Sequence, residues 1–141
     1  MHAALGHSLV LLSLTLSAAG GVLGLWAGYR QSRRAMAWTR MCVYGFCAAM
    51  VLANVVMVRA LLVHDFSVSY VAQVGSLQSP TWVTVVSLWS SLEGSILFWG
   101  AILAGYLGVF TYQMTDRYRE YVPYATGILL AIAAFFAFLI A

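Results

Sequence analysis

The sequence contains no lysine, and its seven basic side chains are all arginine, set against only four acids. Charged residues make up 8% of the 141, where a soluble domain carries about 25%. That shortage excludes an ordinary water-soluble domain. The arginines are scattered between apolar runs and form no basic stretch interleaved with aromatics, which excludes nucleic-acid binding despite a net charge of +3. Cysteine is equally scarce. Cys42 and Cys47 are five apart, neither a C-x-x-C redox pair nor a zinc spacing. On a helix they diverge by about 140°, which argues against a disulfide between them. Both read as small apolar helix residues.

What the chain has is hydrophobicity: 63% apolar residues and a mean hydropathy of +0.91. Four apolar runs stand out, at about 9–27, 43–63, 96–112 and 124–141, each near the ~20 residues a spanning helix needs. The fold class expected is an all-α membrane protein of about four transmembrane helices. A semi-polar stretch over 81–95, opened by Thr81 after Pro80, predicts an amphipathic lead-in helix to the third span. The first run is too long for a signal-peptide core, and no Lys or Arg precedes it. Arg30, Arg33, Arg34 and Arg40 are expected to fill the first loop, and Arg117 and Arg119 lie in the third. The second loop, His64 to Pro80, has no basic residue. The positive-inside rule then puts loops one and three in the cytoplasm, and the N-terminus and His64–Pro80 outside. Arg59 is the exception, placed to snorkel outward or to meet Asp65.

Trp26, Tyr29, Trp38, Trp82, Trp89, Tyr112, Tyr121 and Tyr124 fall near run ends, as an aromatic belt does. Gly20, Gly24 and Gly28 form successive G-x-x-x-G steps in the first helix. Gly100, Ala104 and Gly108, and Ala101 with Gly105, do the same in the third. Such faces allow close backbone approach to neighbours, within the chain or from other chains. The sequence stops at Ala141 inside its last apolar run, with no anchor after it. The 141 residues are therefore expected to form a single N-terminal membrane module of a longer or split protein.

Polar side chains gather in two stretches: His64-Asp65-Phe66-Ser67-Val68-Ser69-Tyr70-Val71, and Trp89-Ser90-Ser91-Leu92-Glu93-Gly94-Ser95-Ile96-Leu97-Phe98-Trp99. The first alternates polar and apolar residues, as an ordered outer loop or an interfacial segment would. In the second, Trp82, Trp89 and Glu93 fall at helical spacing on one face. A carboxylate there is costly and so a functional candidate. Tryptophans leading to it suit a flat aromatic ligand, though a helix anchor with one polar interhelical contact explains them as well. His2, His7 and His64 all lie on the outer side, and none closes a coordination set, so no metal site is assigned.

Asp65-Phe66-Ser67-Val68-Ser69-Tyr70-Val71-Ala72, followed by Trp89 through Glu93-Gly94-Ser95 to Trp99, resembles the start of the CcmF family, the haem lyase subunits of bacterial cytochrome c maturation. The family pattern reads roughly D-F-S-V-x-Y-V-A and then W-G-x-x-E-G-S-x-L-x-W. Leu5-Gly6-His7 also looks like the family's opening. Ser90 stands where the family usually has Gly, and Leu92 where it commonly has His or Gln. The related assembly proteins of the second maturation system are a further comparison, but the D-F-S-V motif favours the first.

The resemblance implies a multi-pass protein of the bacterial inner membrane that handles haem at the periplasmic face for covalent attachment to apocytochrome c. It implies the haem chaperone CcmE, apocytochrome c with its thiol-reducing factors, other maturation subunits and membrane lipid as partners. Haem would be bound by the complete protein through residues outside this chain, which would not be catalytically complete alone. Asp65, Phe66, Ser67, Tyr70, Trp89, Glu93, Gly94, Ser95 and Trp99 would support a haem chamber, with no catalytic residue assigned. Two other functions stand beside this one. A small four-helix transporter would use Glu93 as its coupling carboxylate. A structural scaffold subunit would use the glycine faces.

Overall fold

The computed structural model describes residues 2–63, 86, 92–114 and 117–141. Four helices account for nearly all of them: α1 (His2–Arg30), α2 (Arg33–Leu62), α3 (Leu92–Met114) and α4 (Val122–Leu139). There is no strand among the described residues. All four helices are long and apolar enough to cross a membrane, and the chain is a multi-pass membrane protein. Only 28–39% of each span's apolar core is buried inside the chain, so lipid or further helices must cover the rest. The predicted outer loop and the lead-in stretch, Val86 and residues 92–95 excepted, lie outside the described residues.

Helix ends differ from the sequence expectation at one place above all. The second helix starts at Arg33, not near Val43, and only Gln31 and Ser32 separate it from α1. Arg33, Arg34 and Arg40 therefore sit on α2 rather than in a loop. Two physical causes act together. Ser32 is an N-cap whose hydroxyl accepts from the Ala35 amide at 3.3 Å. Arginine is also a good helix former whose long stem lets its charge reach water from a helix end. Gln31 takes the positive φ of 50° that the sharp reversal requires, and its Nε2 donates to the Gly28 carbonyl at 2.8 Å.

The helices form a four-membered ring. α1 packs on α2 and α4, α3 packs on the same two, and α1 and α3 are diagonal. Neighbours run antiparallel: Gly6 lies near Val56 and Gly20 near Cys42, while Asn54 reaches Leu97 and Cys47 reaches Ala104. Phe46, Met50, Leu107 and Leu130 fill the centre with Val43, Ala104 and Ala133. Three buried hydroxyls are satisfied locally. Ser13 donates to Val10, Ser17 to Leu14 and Thr39 to Ala35, each within its own helix.

The glycines of α1 pack within the chain. A Cβ on Gly24 would lie 2.7 Å from the Gly127 Cα and 2.9 Å from its nitrogen, so α1 and α4 touch backbone to backbone. Gly20 meets Cys42 and Leu130, and Gly28 meets the Tyr124 ring. On α3 the expected faces separate. Gly100 and Gly108 turn to Met50 and Cys47 of α2, whereas Gly105 is exposed with nothing within 4 Å.

Two substitutions test this close approach. Gly24→Ala drives a methyl into backbone that cannot swing aside and is expected to destabilise the bundle by about 1–3 kcal/mol. Gly105→Ala meets open space and is expected to be neutral or to stabilise by up to about 1 kcal/mol through helix propensity. Reversible unfolding in mixed detergent micelles reads both.

Candidate functional site at the motif-bearing helix ends

One end of the bundle gathers the start of α1, the end of α2, the start of α3 and the end of α4. The second sequence motif enters it through α3. Glu93 is the second described residue of that helix. Gly94 is buried, Ser95 is half-buried, and Trp99 is 52% exposed. An i to i+4 step from Ser95 to Trp99 puts both on one side of α3. Asp65, Phe66, Ser67, Tyr70 and Trp89 lie outside the described residues.

The start of α3 is fixed to α2 by a polar link that the sequence reading passed over. Asn54 donates from Nδ2 to the Met50 carbonyl at 2.9 Å and to the Leu97 carbonyl at 3.2 Å. The second bond crosses from α2 to α3, three residues beyond Gly94 in the motif. The Asn54 Oδ1 is buried and has no hydrogen-bond partner among the described residues. Leu97 itself is in the core with Val10, Phe46, Met50 and Ala53. One step further along, the Cys47 thiol donates to the Ala104 carbonyl at 2.9 Å. Cys47 is thus more than an apolar filler. The signal for Asn54 was present in the sequence: an amide in the middle of an apolar run has to find a partner. Its partner was not, because the Leu97 carbonyl is backbone and carries no sequence signature.

His7 is exposed on α1, and no group of three or more His, Cys, Asp or Glu side chains converges among the described residues. Both cysteines are free thiols. Arg59 is exposed near the end of α2, consistent with an outward reach.

Comparison with known proteins identifies the family. No family model matches the chain. It is 33% identical over 102 residues to the cytochrome c-type biogenesis protein CcmF of Escherichia coli strain K12, covering 72% of this chain and 16% of that protein. It is 31% identical over 115 residues to CcmF of Pseudomonas aeruginosa, covering 79% of this chain and 18% of that protein. A solved structure of cytochrome c haem lyase CcmF superposes on the whole chain with a TM-score of 0.92 at 35% identity, covering 24% of that structure. The chain thus spans about a sixth of the curated relatives' length and about a quarter of the solved one. Sequence and fold together place it with the CcmF-type cytochrome c biogenesis proteins, as a counterpart of their N-terminal portion.

Asn54→Ala isolates the link that holds the motif. It removes the α2–α3 hydrogen bond but also the unpartnered oxygen, so the net loss is expected to be modest, about 0.5–1 kcal/mol. Asn54→Asp keeps the shape and removes the donor, and is expected to cost clearly more. Detergent unfolding of the two variants side by side checks the order.

Proposed function

We propose that the chain is an N-terminal membrane module of a haem-lyase-type cytochrome c maturation protein, serving haem handling at the periplasmic face of a bacterial inner membrane. The observation that carries this reading is the match of the entire chain to a cytochrome c haem lyase, in fold and at 35% identity. Gly94, Ser95 and Trp99 of the motif lie at the end opposite the arginine-rich turns, and the positive-inside rule makes that the outer end. Glu93, Gly94, Ser95 and Trp99 on α3, with Asp65, Phe66, Ser67, Tyr70 and Trp89, support the wall of a haem chamber in this reading.

The donor set of the described residues does not fit axial ligation of haem iron. The one histidine whose side chain is described, His7, is exposed. In this reading haem iron is held through residues outside this chain, and no step through the iron is assigned to it. Its own contribution is positional: the Asn54 bond to the Leu97 carbonyl holds the start of α3 against α2, so that the motif residues on α3 stand at a fixed depth. Periplasmic haem supply by the chaperone CcmE, the apocytochrome c acceptor with its thiol reductants, and other maturation subunits are the partners of this reading.

The transporter alternative asks for a carboxylate deep in a span. Glu93 instead occupies the first turn of α3, close to a helix end, which weighs against it. A scaffold role is compatible with the glycine packing and is contained within the haem-lyase reading.

Disruption of the gene in its host, followed by haem staining of the membrane and periplasmic c-type cytochromes, tests the proposal. Loss of holocytochrome c is expected, restored by the wild-type gene. Glu93→Gln is expected to restore it several-fold less well than Glu120→Gln, an exposed change at the opposite end. Unchanged holocytochrome c in the disrupted strain would overturn the reading.

A further inference from the structure

At the arginine end, away from the motif, a cavity of about 350 Å³ opens between the last turn of α1, the first turns of α2 and the start of α4. Its polar side carries Arg33 and Arg40 of α2 and Arg119 of the α3–α4 connection. Arg33 and Arg40 are seven apart and so share a helix face, with Met36 and Ala37 between them on the same face. The floor is apolar: Met36 and Val122 are buried there and continue into a cluster with Ala27, Phe110 and Met114. Arg33 and Arg40 have no ion-pair partner among the described residues. Arg33 and Arg40 over this apolar floor leave positive charge that an amphiphilic anion would answer, with Arg119 at the cavity's rim.

The geometry points to this cavity as a site for the phosphate of an anionic phospholipid. Guanidinium groups bind phosphate oxygens in bidentate fashion, and Arg33 adds its charge to the electropositive start of α2. A free phosphate would use the arginines but not the floor. A lipid would use both, with its glycerol and first acyl carbons against Met36 and Val122. The depth agrees. Trp26, Trp38 and Tyr121, all exposed, ring the same end as an interfacial belt, with the Arg30 guanidinium 5.6 Å over the Trp26 ring. Basic pockets between membrane helices on the arginine-rich side are a recurrent form of headgroup site. The site lies outside the proposed haem-handling end and does not depend on that function.

The test uses the whole chain, purified in neutral detergent and offered phosphatidylglycerol, phosphatidylcholine or inorganic phosphate. Native mass spectrometry is expected to show one phosphatidylglycerol retained and a raised thermal midpoint by circular dichroism. The triple change Arg33→Gln, Arg40→Gln and Arg119→Gln is expected to lower phosphatidylglycerol affinity by at least about tenfold. Arg34→Gln, which does not line the cavity, is expected to leave it unchanged. If the triple variant fails to fold, Arg33→Gln alone, at the exposed start of α2, is expected to weaken retention measurably. Equal retention of phosphatidylcholine, unchanged retention by the arginine variants, or inorganic phosphate giving the same stabilisation and displacing the lipid would each overturn the proposal.

Discussion

The bundle depends on how closely α1 and α4 approach. Lipid tails are as apolar as leucine, so burying apolar surface offers no net drive for one helix to prefer another. What remains is contact between atoms, and contact is densest where there is no side chain to hold the backbones apart. Gly24 against Gly127 supplies that, with Gly21 facing the Gly127 carbonyl beside it. Because α1 and α3 are diagonal, α4 also relays this contact to α3, and α2 closes the ring on the other side. A change in separation at one glycine pair therefore shifts two helices.

Polar groups follow a matching economy. Ser13, Ser17 and Thr39 return their hydroxyls to carbonyls of their own helices and ask nothing of their neighbours. Asn54 and Cys47 donate across a helix boundary, and both donate to α3. The two helix pairs are thus joined by different means: α1 to α4 by absence of side chains, α2 to α3 by directed hydrogen bonds. Directed bonds fix axial register more sharply than shape does. It is the motif-bearing helix that has them.

Much of this was legible from residue order. Apolar length announced four spans, and the glycine steps of α1 announced a close-packed face. The identity of the opposing glycine was not readable, because Gly127 sits in an unremarkable Thr126-Gly127-Ile128 context and pairing is a property of three dimensions. The arginines misled in one respect. Charge suggested a loop over 30–40, but a capped helix end with snorkelling arginines satisfies the same composition. The family motif was readable as a pattern of letters, and the structure adds the anchoring of its second half through Leu97. Its first half, Asp65 to Tyr70, lies outside the described residues. The cavity at the other end was invisible in sequence, since Arg119 and Arg33 are brought together only by the packing of α4 beside α1.

The two-residue link of Gln31 and Ser32 has a consequence for how the protein enters the membrane. With so little chain between them, the first two helices cannot take up distant positions in the bilayer and find each other later. They leave the ribosome as a helical hairpin whose halves are already opposed, with the arginines of the turn holding it on one side of the membrane. Insertion and the first tertiary contact become one event, and the α1 glycine face stands ready before α4 has been made.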